Sequence, residues 1–72
     1  MIIYFNLSVN TNVTLNVYDV TGKLVRTLID SENRSAGRNS IEFDGSDLSS
    51  GIYIYRLESA SFVEIKKMLL IK

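Results

Sequence analysis

The chain has 72 residues, with eight acidic and eight basic side chains and no Cys, His or Pro. This length suits one small domain, and the missing Cys and His exclude disulfides, thiolate metal sites and the commonest general base. The balanced charge and the short apolar runs predict no cofactor, no metal, no nucleic-acid partner and no membrane insertion.

The first half of the chain predicts three strands separated by polar turns. Residues 2–9 alternate apolar and polar side chains, and no basic and apolar leader precedes them, so we interpret the chain as one module of a longer protein. Residues 13–18 alternate most regularly and predict a strand with one dry and one wet face. Residues 19–23 predict a hairpin turn around Gly22, and residues 24–29 predict the third strand.

The second half predicts three more strands after a long polar segment. Residues 30–38 are polar and predict an irregular crossing from one sheet to the other, with a short edge strand inside the segment as the alternative. Residues 39–43 alternate again, and residues 53–57 are β-branched and aromatic, as in a buried strand. Residues 62–71 predict the last strand, in which the adjacent Lys66 and Lys67 interrupt the alternation, so a β-bulge or a change of face is expected there.

A turn-rich stretch leads into the fifth strand and indicates the fold class. Leu48, Gly51 and Tyr53 have the order found in a tyrosine corner, in which the tyrosine hydroxyl bonds to upstream backbone. An ordinary core tyrosine at a strand start is the alternative. Together the elements predict an all-β, Ig-like or fibronectin III-like Greek-key sandwich of six to seven antiparallel strands, in a single domain spanning residues 1–72. A small barrel of the SH3 or OB type is the runner-up.

One sheet face is more apolar than a solvent-exposed face should be. In an Ig-like arrangement the second and fourth strands would share one sheet, and the third, fifth and sixth the other. The outer face of the second sheet would be apolar, so we predict contact there with a parent domain or another protein. The same face, or the edge strands, could join copies of the chain into a homo-oligomer, and an error of register is the alternative. The predicted interaction face comprises Leu24, Leu28, Ile52, Ile54 and Met68, with Leu70 also able to point outward.

No group of side chains indicates catalysis or metal binding, so we predict a protein that is not an enzyme. Residues 44–47 resemble part of a calcium loop, but Tyr55 stands where an EF-hand has its glutamate, which favours a plain turn. The acidic residues at turns are interpreted as caps of local backbone. The chain has a small basic cluster, Lys66, Lys67 and Lys72 with Arg56 nearby, whose plain interpretation is a set of charges flanking an apolar edge strand.

Four segments carry motifs in a shared order: residues 13–28, residues 35–37, residues 47–57, and residues 62–72 with their Lys-Lys-apolar-Lys ending. These motifs resemble the C-terminal sorting domain, type A, of the bacterial type IX secretion system. They are also similar to the Ig-like domain of the flagellar hook-capping protein. The resemblance covers nearly the whole chain, and the ending after Lys72 favours the sorting domain. The chain departs from the family by lacking a Pro-containing segment before the first strand.

The resemblance implies a passive address on a secreted or cell-surface protein, which passes through the periplasm of a Gram-negative-type bacterium. Its partners would be the secretion machinery or the parent domain. The alternative is a structural module that self-assembles or caps a larger assembly, of the hook-cap or filament type. For the fold, the resemblance implies roles for Gly51 and Tyr53. For recognition, it implies the C-terminal residues Lys66, Lys67, Leu70, Ile71 and Lys72.

Overall fold

A computed structural model describes residues 2–71, which form two packed antiparallel sheets. The strands are β1 (Ile2–Leu7), β2 (Thr11–Asp19), β3 (Leu24–Arg34), β4 (Gly37–Glu42), β5 (Gly51–Ser59) and β6 (Val63–Leu70). β1 pairs with β4, and the other four lie in the order β3-β2-β5-β6. The predicted all-β sandwich is confirmed. The predicted sharing of a sheet by the second and fourth strands is wrong, because β2 lies between β3 and β5. Residues 2–71 contain no helix long and apolar enough to cross a membrane.

A single hydrophobic core lies between the two sheets. The alternation predicted for β2 is confirmed, since Val13, Leu15 and Val17 are at most 1% exposed. The alternation of residues 2–9 puts Val9 on the same face as the buried Leu7, but Val9 is exposed, because β1 ends at Leu7. Burying each large apolar side chain contributes about 1.5–3 kcal/mol, so the core supplies most of the stability. Its members are Ile3, Phe5, Leu7, Val13, Leu15, Val17, Ile29, Phe43, Tyr53, Leu57 and Leu70.

β3 is longer than the sequence predicts. It runs on to Arg34, so only residues 35–36 join it to β4. The irregular conformation predicted for residues 30–38 is therefore wrong, but the predicted passage from one sheet to the other is confirmed, because β3 and β4 lie in different sheets. Its register against β2 shifts at several points. Near one shift, Ser31 has a φ of 53°, and its backbone N–H donates to Thr14 Oγ1 at 3.2 Å. The shifts let β3 stay paired where a regular strand would lose its match to β2.

The predicted hairpin turn between β2 and β3 is confirmed, and Asp19 organises it. The Asp19 carboxylate accepts hydrogen bonds from Thr21 Oγ1 at 2.6 Å, from the Thr21 backbone N–H at 2.9 Å and from the Lys23 backbone N–H at 3.0 Å. These donors, first the Thr21 hydroxyl and then the Lys23 backbone, lower the pKa of Asp19 below its ordinary value. Gly22 supplies the left-handed backbone that the turn needs, with a φ of 88°.

Residues 44–50, which we call the corner loop, lead from Phe43, just after β4, into β5 and are fixed from two sides. The Tyr53 hydroxyl donates to the Ser49 carbonyl oxygen at 2.8 Å, the contact that defines a tyrosine corner. Across the molecule, Arg26 of β3 donates to both carboxylate oxygens of Asp47, at 2.7 and 2.9 Å. Leu48 packs against the core, and Gly51 has a φ of 151° at the start of β5. The loop therefore ties the end of the two-stranded sheet to the four-stranded one.

Candidate recognition surface

β6 forms one edge of the four-stranded sheet. Within residues 2–71 it pairs with β5 alone, from Gly51 opposite Leu70 to Glu58 opposite Val63, with no shift of register. The bulge or change of face predicted at Lys66 and Lys67 is therefore wrong. The two lysines lie on opposite faces of a regular strand. An edge strand can carry a charged side chain on each face because neither face is fully covered there.

The unbroken register of β6 decides which of its side chains face outward. Directly opposed residues lie on the same face of a sheet, and Tyr53 and Leu57 of β5 are buried. Their partners Met68 and Glu64 therefore lie on the inner face, together with Lys66 and Leu70. The outer face carries Val63, Ile65, Lys67 and Leu69, and the three apolar members are 50–62% exposed.

A row of opposed residues crosses the outer face of all four strands, apolar on β3, β2 and β5 and ending at Lys67 on β6. Leu24 lies opposite Tyr18, Tyr18 opposite Ile54, and Ile54 opposite Lys67. In the next row Ile52 lies opposite Leu69. Leu24, Ile52 and Leu69 are about half exposed, at 50%, 48% and 57%. We call these five apolar side chains the outer patch: Tyr18, Leu24, Ile52, Ile54 and Leu69.

Lys67 and Arg56 both lie on this outer face, and Arg56 is paired with Glu58. Lys67 is exposed beside the outer patch, and a shallow depression there is lined by Ile52, Lys67, Met68 and Leu69. A lysine can lay its aliphatic stem on such a surface while its ammonium group stays in water. The combination suits a ligand that presents apolar side chains together with a carboxylate.

The end of β6 places two neighbouring apolar side chains in opposite environments. Leu70 is 7% exposed and lies against Gly45 of the corner loop, where an added Cβ would be only 2.9 Å from Leu70 Cδ2. Ile71 is 75% exposed. Leu70 therefore fixes the end of the strand, and Ile71 projects from it. Both border a groove that is further lined by Glu42, Phe43, Asp44, Gly45 and Ser46.

The remaining charges near β6 form ion pairs within single strands. Lys66 Nζ lies 2.9 Å from Glu64 Oε1, and Arg56 donates to Glu58 at 3.1 Å. The hydrogen bond with Glu64 raises the pKa of Lys66 above its ordinary value. All four side chains are partly exposed, so each pair contributes little to stability. Elsewhere in residues 2–71, no three His, Cys, Asp or Glu side chains lie close enough to hold a metal ion.

The family model of the secretion system C-terminal sorting domain matches residues 2–72. The chain belongs to this family. Neither a curated protein nor a solved structure matches it. Such domains are C-terminal signals of the type IX secretion system, which supports the sorting reading over the self-assembling alternative. The chain is thus a sorting domain of a secreted or cell-surface bacterial protein, of a kind that interacts with the secretion machinery and is typically not an enzyme.

The structure of the sorting domain exposes some of the residues predicted for recognition and buries another. Lys67 and Ile71 are exposed, and Lys66 is exposed on the other face of β6. Leu70 is buried in the core, so in this conformation it is not accessible to a partner. Lys72 lies outside the described residues. The recognition role of all five residues stays a prediction.

The predicted interaction face of the sorting domain is partly corrected. Leu24, Ile52 and Ile54 lie on the outer face, but Leu28 and Met68 pack against the core. Met68 and Leu70 lie on the inner face because β6 stays regular through the lysine pair, which sets them opposite Tyr53 and Gly51. Leu28 lies within a register shift of β3, between the residues opposite Leu15 and Asn16.

Sequence reasoning missed Leu69 and Tyr18 as members of the outer patch. For Leu69, the signal is its spacing of two and four residues from Lys67 and Ile65, which puts all three on one face of an uninterrupted strand. The alternation of residues 13–18 puts Tyr18 on the outward face, but that face was predicted to be wet, so Tyr18 was not assigned to an apolar patch. The pairing of β2 with β5, which brings it beside Ile54, cannot be read from β2 alone.

Proposed function

We propose that this sorting domain directs its parent protein from the periplasm to the outer-membrane translocon, and that the translocon recognises β6 together with the outer patch. The observation that carries the proposal is the position of β6 at the edge of the sheet, with Ile65, Lys67 and Leu69 exposed on its outer face. A strand in this position offers backbone groups for strand addition by a partner.

The side chains around β6 support recognition by apolar contact and charge. Burial of the outer patch against a partner would supply the non-directional part of the affinity. Lys67 would select a partner segment that places an acidic group beside apolar ones. Leu70 has a supporting role, because its burial against Gly45 holds the end of β6 in place.

We further propose that the domain is passive and catalyses no reaction. The chain lacks His and Cys, and Asp19, Asp44 and Asp47 are engaged by neighbouring donors at the turns. These hydrogen bonds lower the pKa of each carboxylate, which suits a structural role better than general-acid chemistry near neutral pH.

The test is export of a reporter that carries a periplasmic leader and ends in this chain, expressed in a bacterium with a type IX system. Deleting residues 68–72 is expected to stop export, but it also removes the core residue Leu70. The sharper variant is Lys67→Glu with Leu69→Glu, which changes only exposed side chains. We expect it to lower the exported fraction about tenfold or more, equivalent to about 1.4 kcal/mol of binding, with reporter accumulating in the periplasm.

The matched control is Arg38→Glu, a charge reversal at an exposed position of β4, in the two-stranded sheet away from β6 and the outer patch. It should leave export unchanged. Circular dichroism of the purified domains should show that all variants keep the fold. Normal export of a folded Lys67→Glu, Leu69→Glu variant would contradict recognition through this surface.

A further inference from the structure

We propose that β6 also pairs, in antiparallel orientation, with β6 of a second copy of this chain. The two-fold axis would pass between the two copies of Ile65, which would lie directly opposite each other. The result would be one continuous sheet, with the four-stranded sheet of each copy joined edge to edge. This association needs only the domain in solution, so it stands or fails independently of the translocon.

The geometry of an antiparallel ladder limits the possible registers. Along a strand, the N–H and C=O groups of successive residues point to alternate edges. In an antiparallel pair, two directly opposed residues either both point these groups at each other or both point them away from each other. When a strand pairs with a second copy of itself, opposed residues must therefore be an even number of positions apart. The residue midway between them then lies opposite its own copy. Each residue of β6 defines one such register.

The charges of β6 distinguish these registers. An axis at Glu64, Lys66 or Lys67 would set that charged residue opposite its own copy, and like charges directly opposed are destabilising. An axis at Ile65 sets Glu64 opposite Lys66 twice, once on each side. Among the described residues of β6, it is the one centre that opposes unlike charges, and it places the exposed Ile65 against its own copy.

The other pairs of this register are compatible with it. Phe62 would lie opposite Met68 on the inner face, and both already pack against the core from its margin. Val63 would lie opposite Lys67 on the outer face, where the lysine stem can cover it. Because the axis is perpendicular to the sheet, the two outer patches would lie on the same side of the joined sheet. The dimer would close the β6 edge, so pairing and strand addition by another partner would exclude each other.

Cysteine cross-linking tests the register directly, because the chain has no cysteine of its own. In the proposed dimer, the two copies of residue 65 lie about 5 Å apart at Cα, which suits a disulfide. The matched control is Val63→Cys, on the same face and similarly exposed. Its two copies would be offset by four residues, about 13 Å along the strands.

We expect Ile65→Cys to form a disulfide-linked dimer about tenfold or more faster than Val63→Cys under mild oxidation. A mixture of Val63→Cys and Lys67→Cys should cross-link as a heterodimer faster than either variant alone. Equal rates for Ile65→Cys and Val63→Cys, in correctly folded proteins, would overturn the register.

Charge reversal gives a second test, with sedimentation velocity over a concentration series as the readout. Glu64→Lys and Lys66→Glu should each lose the dimer, because each sets like charges opposite one another. Mixed together they should associate, since every opposed pair then joins a lysine to a glutamate. Glu58→Lys, on the neighbouring strand, should dimerise like the wild type. A wild type that stays monomeric at every concentration, or a mixture that fails to associate, would overturn the proposal.

Discussion

The corner loop and β6 lie next to each other in this small domain, yet they are held in very different ways. The corner loop is fixed from two directions, by the Tyr53 hydroxyl on Ser49 and by both carboxylate oxygens of Asp47 on Arg26. Within the described residues, β6 has a partner strand on one side only, and Leu70 anchors its end.

This difference separates residues that stabilise the fold from residues that are available to a partner. The core of a domain of this size supplies only about 3–5 kcal/mol once conformational entropy is offset, so the loss of one corner contact is a measurable part of the stability. An exposed edge strand is a hazard for aggregation, and natural sheets reduce it with charged side chains. In β6, Glu64, Lys66 and Lys67 supply such charges while apolar side chains remain exposed between them.

The largest expected effect separates two adjacent leucines of β6. Leu70 is 7% exposed and Leu69 is 57% exposed. Leu70→Ala should lower the free energy of unfolding by about 2–4 kcal/mol, because it leaves a cavity against Gly45. Leu69→Ala should change it by less than about 0.5 kcal/mol, as at other surface positions. Urea denaturation followed by fluorescence or circular dichroism measures both.

This pair also tests the register of β6 against β5. If β6 changed face at the lysines, Leu69 would be the buried residue, and the two stabilities would be reversed. Equal destabilisation by both substitutions would contradict the anchoring of β6 through Leu70 alone. In the export assay, Leu69→Ala should lower export without a loss of stability, since Leu69 belongs to the proposed recognition surface. Any loss of export with Leu70→Ala should accompany its loss of stability, because Leu70 holds the end of β6 in place.

The next effect concerns the hydroxyl that closes the corner. Tyr53→Phe removes the hydrogen bond to the Ser49 carbonyl oxygen and leaves the ring in the core. We expect a loss of about 1 kcal/mol in the free energy of unfolding, the net worth of one such bond. Tyr18→Phe, on the outer face, is the control and should change stability by less than about 0.5 kcal/mol. Equal effects of the two substitutions would show that the corner hydroxyl has no special role.

Local sequence patterns were sufficient where each residue's position depends on its neighbours in the chain. The alternation of β2, the Asp19 hairpin and the order of Leu48, Gly51 and Tyr53 all describe short segments, and the structure has them as predicted. The all-β class follows from the number of such segments. The family motifs add the sorting function, which neither composition nor periodicity contains.

The structural features that the sequence did not predict are those in which a residue's position depends on a strand or side chain distant in sequence. The extension of β3 to Arg34 is set by pairing with β2 across several register shifts, and polar residues such as Asp30 and Glu32 give no local sign of it. The faces of β6 depend on β5, which holds the strand regular through Lys66 and Lys67. The bidentate contact of Arg26 with Asp47 joins residues 21 positions apart, so no local pattern predicts it.

The smallest expected effect is a loss of stability in acid that begins at the turns rather than at β6. Hydrogen bonds from Thr21, from the Ser46 backbone and from Arg26 lower the pKa values of Asp19, Asp44 and Asp47, respectively, below the ordinary 3.8. The unfolded chain therefore binds protons at higher pH than the folded one. The stabilisation is complete above about pH 4–5 and is lost as the pH falls through the lowered folded values. All three carboxylates are exposed, so solvent screening keeps the effect small.

Thermal unfolding of the wild type, Asp19→Asn and Asp47→Asn between pH 6 and pH 2 tests this assignment. Each variant should have a lower Tm than the wild type at pH 6 and a shallower decline below pH 4, because it has one lowered carboxylate fewer to protonate. The curves should approach one another near pH 2, where the wild-type carboxylates are also protonated. Parallel curves across the whole range would mean that Asp19 and Asp47 do not carry the acid response. The contrast between a hydrogen-bonded corner and an open edge would then rest on Tyr53 and Leu70 alone.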